Sequence, residues 1–251
     1  MMLTRSQIQR LAQRNQIGMQ VQERDYLQHL LLYSLYLRTD QFIFKGGTAL
    51  RIVYGGGRYS EDLDFNGADD PDLVQSTWSR VVEDLGHFGI IAQVRHGWVS
   101  EVGMSFDISF QGPLYDGRDH SKGKVRIDVN RRAEVVATRR ELLNAPYDDV
   151  RPFVVVAITP EHLLAEKVRA LIIRGKARDL YDIWLLLRQG VQLDAPLIEQ
   201  KLMLYERSWQ PEQALTVIEQ LRADWERDLR PLLSQFVRFE DVAAGVSRLL
   251  H

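Results

Sequence analysis

The 251-residue chain contains no cysteine, which excludes disulfide bonds and thiolate metal sites. No apolar run approaches the roughly eighteen residues of a membrane helix, and the first residues, MMLTRSQIQRLAQRNQ, lack the apolar segment of a signal peptide. The formal net charge of -2 argues against a uniformly basic nucleic-acid-binding protein. From these absences we expect a cytoplasmic protein that does not enter a membrane.

Basic residues are nevertheless concentrated in two segments. Residues 118–140 hold eight Lys or Arg against three acids, and residues 165–178 hold five against one. Such patches suit phosphate groups beside an acidic metal site, and an ordinary solvated surface is the alternative explanation for either.

The most informative segment is FIFKGGTALRIVYGGGRYSEDLDF, residues 42–65. The apolar run 42–44 predicts a short buried strand. The glycine pair 46–47 then opens a helix predicted over 48–54, and a glycine-rich loop returns the chain to a second strand. Backbone N–H groups at such a glycine turn suit a phosphate.

The second strand carries Asp62-Leu63-Asp64. Alternate residues of a strand point to the same side, so the two aspartates should project together while Leu63 and Phe65 face the core. Paired carboxylates repel each other unless a cation lies between them, and their oxygens suit a hard cation such as Mg²⁺. With the glycine turn, this pair predicts a site for a metal and a nucleoside triphosphate.

GGTALR followed by R-x-S-E-D-L-D-F resembles the nucleotidyltransferase superfamily and, more closely, the AbiEii-type toxins of type IV toxin–antitoxin systems. A second block, AEKVRALIIRGKARDLYDIW at 165–184, matches the family's lysine on one helix and R-D-x-Y-D on the next. The resemblance covers roughly residues 40–190. Thr48 stands where the wider superfamily usually has Ser, which keeps the hydroxyl, and the spacer before Asp62 is longer than in the most compact members.

The resemblance implies transfer of a nucleoside monophosphate from an NTP to an acceptor hydroxyl, with two Mg²⁺ ions held by Asp62, Asp64 and Asp128. It implies tRNA as the acceptor and growth arrest or phage defence (abortive infection) as the outcome. It also implies a separately encoded antitoxin, which in many type IV systems makes no stable contact with the toxin. Asp128, on the polar side of the strand VRIDV, would help to activate the acceptor hydroxyl, and Lys167 is expected to act in catalysis by contacting the phosphates.

Nine residues are expected to bind the nucleotide: Gly46, Gly47, Thr48, Arg58, Ser60, Lys167, Arg178, Asp179 and Asp182.

Each assignment has a structural alternative. Asp128 competes with Asp107 of SFDISF and with an ordinary surface role. Lys167 is alternatively a surface lysine that extends its ammonium to water. Asp179 can cap a helix starting near residue 180, where Arg178 can pair with Asp182 at i,i+4. Ser60 can simply shape the loop, and Lys45 and Arg51 can be surface charges.

The chain as a whole predicts an α+β fold: a nucleotidyltransferase-like mixed sheet flanked by helices, then an α-helical C-terminal region. We expect a nucleotidyltransferase-like domain with N-terminal helices over 1–158 and a helical domain over 159–251 that completes the active site. The Trp residues at 78, 98, 184, 209 and 225 are expected to pack in cores. The elements predicted outside the motif are helices at 4–16, 22–38 and 69–86, strands near 90–96, 99–110, 124–130 and 154–158, and helices from 159 with later ones at 195–206, 211–228 and 232–249.

Two other functions remain open from the sequence. One is nucleotidyl transfer to a small molecule or a protein, which would depend weakly on salt, whereas transfer to tRNA would depend on it strongly. The other is a nucleotide-binding module without turnover, against which the retained aspartates argue.

Overall fold

The computed structural model describes residues 2–67, 70–131 and 136–250. It divides into two compact units, one formed by Met1–Gly55 with Tyr59–Ala157 and the other by Gly56–Arg58 with Ile158–His251. No helix in the described ranges is long and apolar enough to cross a membrane.

The first unit combines helices with one mixed sheet. Its described helices and strands are α1 (Arg5–Asn15), α2 (Met19–Tyr36), β1 (Ile43–Lys45), α3 (Gly46–Ile52), β2 (Asp62–Asn66), α4 (Pro71–Asp84), β3 (Ile91–Val99), β4 (Gly103–Gln111), β5 (Gly123–Asn130), β6 (Thr138–Leu143) and β7 (Phe153–Ile158). Asp70 caps α4 and Pro71 occupies its first turn, as the capping preferences of these residue types predict. The first residue of the predicted helix 69–86 lies outside the described residues.

The seven strands form one sheet in the order β3-β4-β5-β2-β1-β7-β6. Strand β2 pairs antiparallel with β1 and parallel with β5, so the aspartate strand lies in the interior of the sheet. Strands β3, β4 and β5 form an antiparallel meander. This confirms the mixed sheet flanked by helices.

One face of the sheet packs into the core of this unit. Leu63 and Phe65 are fully buried there, as the alternation of β2 predicts. Trp78 of α4 packs against Phe65 and Phe106, with ring centroids 5.5 and 5.8 Å away. The opposite face of β2 is therefore left for the aspartates.

The second unit is helical. Its described helices are α5 (Pro160–Arg174), α6 (Ala177–Arg188), α7 (Ala195–Met203), α8 (Pro211–Gln220), α9 (Trp225–Leu229) and α10 (Phe239–Leu250). Gly175 ends α5 with a left-handed φ of 54°, a conformation that glycine adopts at low cost. The segment Gly56–Arg58 belongs to this unit and contributes a β-bridge between Arg58 and Leu233.

Some secondary-structure predictions were wrong. Strand β6 was missed because its residues, TRRELL, are mostly exposed and polar and show no apolar alternation. The continuous helix predicted over 211–228 ends at Gln220, and α10 begins only at Phe239. The Trp225 indole donates to the Val237 carbonyl at 2.8 Å, so a tertiary hydrogen bond stabilises the chain where the predicted helices are interrupted. The segment Thr159-Pro160-Glu161 predicts a capping hydroxyl at the start of α5, but Thr159 makes no side-chain cap.

Candidate active site

The glycine turn lies directly against Asp64. Gly46 has a φ of 75°, and a Cβ atom placed there would lie 2.0 Å from Oδ2 of Asp64. The absence of a side chain at Gly46 therefore lets the carboxylate reach the first turn of α3. The predicted juxtaposition of glycine turn and aspartate is present, although α3 begins two residues before the predicted start.

Three carboxylates lie on one face of adjacent strands. Strands β2 and β5 are parallel, and their register pairs Asp64 with Asp128 and Asp62 with Arg126. Because register partners on neighbouring strands point to the same face, Asp128 stands beside Asp64. Asp62, Asp64 and Asp128 are all partly buried. The structure thus brings together the three acids that we predicted as metal ligands.

Asp107, the alternative third acid, lies on the same face but has different neighbours. It pairs across β4 and β5 with Arg126, and its carboxylate accepts from Arg126 at 3.4 Å and from Lys124 at 3.2 Å. Asp107 is therefore occupied by two exposed cations, whereas Asp128 faces Asp64.

The turn is fastened to the aspartate strand by Thr48. Its hydroxyl donates to the backbone carbonyl of Asp62, and the side chain is fully buried. The Ser60 carbonyl accepts from Gln28 at 3.1 Å, so this loop residue is held by α2. Lys45 is 8% exposed, which excludes the alternative that it is a surface charge.

Arg51 is likewise part of a buried network. Its Nε lies 2.9 Å from Oδ1 of Asp25, and its guanidinium stacks 3.4 Å from the ring centroid of Tyr59. Burial alone would raise the pKa of Asp25, but the charges of His29 and Arg51 outweigh it, and the pKa lies below its ordinary value. Two partners of Asp25, Arg51 and Tyr147, lie on other elements, so spacing along α2 does not identify this network.

In the second unit, Asp182 is the centre of a buried ion network. Arg58 forms a two-pronged pair with it, at 2.6 Å from Nε and 2.7 Å from the terminal nitrogen, and Lys167 Nζ lies 2.8 Å away. Burial would raise the pKa of Asp182, but Arg58 and then Lys167 lower it more, so the net pKa lies below its ordinary value. Asp182 is therefore held as a carboxylate.

Asp179, on α6, extends this network to Arg174 at the end of α5. Arg174 donates to both of its oxygens at 2.8 and 2.7 Å, and Lys167 lies 3.9 Å away. Arg174 follows Lys167 by seven residues, a spacing that predicts one shared helix face. Both structural alternatives that the spacing offered for these two aspartates were wrong. Asp179 is not the cap of α6, which starts at Ala177, and Asp182 is held by Arg58 and Lys167 instead of by Arg178.

Lys167 is only 5% exposed, which excludes the alternative that it is a surface lysine that extends its ammonium to water. The five charged groups of this network, three cations and two carboxylates, leave one net positive charge.

The side chains present limit which metal ion this site could bind. Within the described residues, no three His, Asp or Glu side chains are arranged so that they could hold a metal ion. Mg²⁺ is usually bound by one or two carboxylates together with substrate phosphates and water. Asp64 and Asp128, side by side next to the glycine turn, fit an ion of that kind, which the nucleotide helps to hold.

Trp98 contradicts the expectation that all five tryptophans pack in cores. It is 57% exposed on β3, whereas Trp78 is fully buried and Trp225 is 2% exposed. Composition gives no signal for this, because exposure is decided by the position of β3 at the edge of the sheet.

Comparisons with known proteins identify the family of this chain. The family described as "Nucleotidyl transferase AbiEii toxin, Type IV TA system" matches residues 30–245. Comparison with curated protein sequences gave no significant match.

Solved structures show the same fold. MenT4, a nucleotidyltransferase toxin from Mycobacterium tuberculosis, is 21% identical over 99% of this chain and 88% of its own, with a TM-score of 0.72. JHP933 from Helicobacter pylori is 18% identical over 93% and 91%, with a TM-score of 0.60. A putative nucleotidyltransferase from H. pylori is 17% identical over 93% and 94%, with a TM-score of 0.64. The family match spans most of the sequence, and the chain belongs to the AbiEii family of nucleotidyltransferase toxins of type IV toxin–antitoxin systems.

Proposed function

We propose that this nucleotidyltransferase uses Mg²⁺ to transfer a nucleoside monophosphate from an NTP to a hydroxyl of tRNA. The observation that carries the proposal is the single sheet face shared by Asp62, Asp64 and Asp128, with the glycine turn packed against Asp64. Enzymes of this family take an NTP and a divalent metal. We further propose that the metal is Mg²⁺, that the acceptor is tRNA and that the protein acts in the cytoplasm.

In the proposed reaction the acceptor oxygen bonds to the α-phosphorus, the bond from that phosphorus to the bridging oxygen breaks, and pyrophosphate leaves. Asp128 orients the acceptor hydroxyl and takes its proton. Asp64 and Asp128, with Asp62 on the same face, would hold Mg²⁺, which when bound supplies charge neutralisation for the triphosphate. Gly46 and Gly47 offer backbone N–H groups to the phosphates.

Thr48 supports this turn. Its hydroxyl already bonds to the Asp62 carbonyl, so we assign it the role of fixing the turn against β2 and leave phosphate binding to the backbone. Ser60 is assigned a similar role in its loop, because its carbonyl is held by Gln28.

Residues of the second unit are also proposed to take part in nucleotide binding. The buried network of Arg58, Lys167, Asp179 and Asp182 carries a net positive charge when Arg174 is included, which suits a polyphosphate. Lys167 is held by Asp182, so we propose that its charge acts as part of this network. We also propose Arg178 as a nucleotide contact, because it belongs to the R-D-x-Y-D block that resembles the family's.

The biological role proposed is growth arrest or phage defence, opposed by a separately encoded antitoxin. Membership in a type IV toxin–antitoxin family supports the antitoxin. In that setting the antitoxin need not contact this chain.

Label transfer tests the proposal. Purified protein is incubated with each α-labelled NTP and total tRNA, with Mg²⁺, with a chelator, and with Mg²⁺ restored. We expect label on tRNA that the chelator abolishes and Mg²⁺ restores. Asp64→Asn and Asp128→Asn should each abolish transfer. Asp107→Asn is the matched control, because it removes a carboxylate from the same face and should leave most activity.

Three results would overturn parts of the proposal. Label on a protein or small molecule, with none on tRNA, would replace the acceptor. Full activity of Asp128→Asn with loss in Asp107→Asn would exchange their roles. NTP binding without transfer to anything in a cell extract would indicate a binding module.

A further inference from the structure

The exposed Trp98 lies on the same sheet face as the catalytic carboxylates. The register of β3 with β4 pairs Arg95 with Asp107 and then, after a shift, Trp98 with Ser105. Ser105 pairs in turn with Asp128, which pairs with Asp64. One cross-strand row therefore runs from Trp98 through Ser105 and Asp128 to Asp64.

A bulge in β3 is responsible for this alignment. The extra residue between Arg95 and Trp98 resets the alternation, so that Trp98 faces the side of Ser105 and Asp128. Gly97 lies within the bulge, where a Cβ atom would come 1.5 Å from the Ser105 carbonyl oxygen. Only a glycine permits that approach of the two strands.

The row places the indole near the reaction. Neighbouring strands lie about 4.8 Å apart, so Trp98 is about 10 Å from Asp128 along the row. An exposed aromatic ring at that distance can hold a group attached to the acceptor hydroxyl without occupying the place of the hydroxyl itself.

The charges around Trp98 suit a polyanion. The next cross-strand row reads Arg95, Asp107, Arg126, Asp62. Arg126 and Lys124 have half or more of their side chains exposed, 50% and 59%, and Asp107 is shared between them. Arg95, Lys124 and Arg126 thus form a group of three cations beside Asp107, which two of them share, while Asp62 ends the row as part of the acidic metal site.

We propose that Trp98 is a stacking platform for an unpaired base of the acceptor RNA, and that Arg95 and Arg126 contact its phosphates. Single-stranded nucleic acids bind proteins by this combination of aromatic stacking and cationic side chains. The proposal rests on the proposed function, because it takes RNA as the acceptor. A protein partner is disfavoured by the cations beside the ring.

The test uses three variants of Trp98 and one matched control. Trp98→Ala and Trp98→Leu remove the ring, and Trp98→Phe keeps one. The control is Val99→Ala: Val99 is equally exposed at 59% but pairs with Met104 on the opposite face of the same strand. Binding of fluorescent single-stranded RNA and of tRNA is measured by anisotropy, all in an Asp64→Asn background, so that the measurement does not require turnover.

We expect Trp98→Ala and Trp98→Leu to weaken RNA binding by about 5- to 100-fold, the range for loss of one stacked base. Trp98→Phe and Val99→Ala should stay close to the parent protein. Arg95→Ala should reduce the magnitude of the slope of log K against log salt by about 0.7, as for one single-strand phosphate contact.

Equal RNA affinity of Trp98→Leu and Val99→Ala would overturn the platform, even if label transfer to tRNA succeeds. A ring-dependent affinity for RNA together with failed label transfer would keep the platform and reject the proposed reaction. Sedimentation measures the oligomeric state of the parent protein and of Trp98→Leu. If the parent protein is an oligomer that Trp98→Leu dissociates while RNA affinity is unchanged, the ring belongs to a protein interface and the proposal is overturned.

Discussion

Replacing Gly46 by alanine tests whether the turn and Asp64 are built as one unit. Gly46 has a left-handed φ of 75°, which costs a residue with a Cβ about 1–2 kcal/mol. The new methyl group would also lie 2.0 Å from Oδ2 and 2.6 Å from Cγ of Asp64, far inside contact distance. Either the carboxylate or the start of α3 must move.

The two consequences have different magnitudes. The conformational cost alone should lower the free energy of unfolding by about 1–2 kcal/mol. A displacement of about 1 Å at a catalytic group is enough to lower the rate roughly 100-fold. We therefore expect Gly46→Ala to lose activity far beyond what its stability loss explains.

Gly55→Ala is the matched control. Gly55 has a similar φ of 67°, and nothing lies within 4 Å of the position that its Cβ would take. Urea denaturation and label transfer are measured for both variants. Gly55→Ala has the conformational cost without the close contact. The difference in activity between the two variants therefore measures the effect of the contact between residue 46 and Asp64. If Gly46→Ala transfers label as fast as Gly55→Ala, the placement of Asp64 against the turn is refuted.

Two further predictions concern buried polar groups. Asp182→Asn should cost about 3–5 kcal/mol in the free energy of unfolding at neutral pH, because Arg58 and Lys167 lose the charge that they share. Since the pKa of Asp182 is lowered by folding, its stabilisation is present above its unfolded pKa of about 3.9 and lost as the pH falls through the folded value. The difference from wild type in urea denaturation should accordingly shrink in acid, and a pH-independent difference would contradict this. Tyr147→Phe removes a 2.6 Å hydrogen bond to the buried Asp25 and should cost about 1–3 kcal/mol by the same assay, whereas an unchanged midpoint would show that the bond contributes nothing.

The motif segment could be predicted because its signals are local. The alternation of Asp62, Leu63, Asp64 and Phe65 sets which side chains enter the core, and the structure confirms it with full burial of the two apolar residues. Alternation on β5 also placed Asp128 on a polar face. What the sequence alone left open was the register that sets Asp128 beside Asp64, because register depends on the pairing of distant strands.

The buried ion network shows where local reasoning fails. Arg178 stands four residues before Asp182 on the same helix, so spacing favours that pair. The structure instead pairs Asp182 with Arg58, 124 positions away, through a short segment that folds with the helical unit. A buried carboxylate requires partners that are buried with it, and Arg58 is 3% exposed. Burial cannot be read from spacing along one helix.

The sheet face on which Trp98 lies is likewise not set by local sequence. Large aromatic residues are buried in most proteins, so composition favours a core role for every tryptophan. On an edge strand the outcome depends on a single extra residue, because a bulge transfers every later side chain to the other face. Without the bulge at Gly97, the parity of β3 would turn Trp98 toward the side of Phe106 and Trp78. With it, the ring joins the row of Asp128. Gly97 separates the strands predicted near 90–96 and 99–110, and it lies in the bulge that determines whether this tryptophan belongs to the core or to the reactive face.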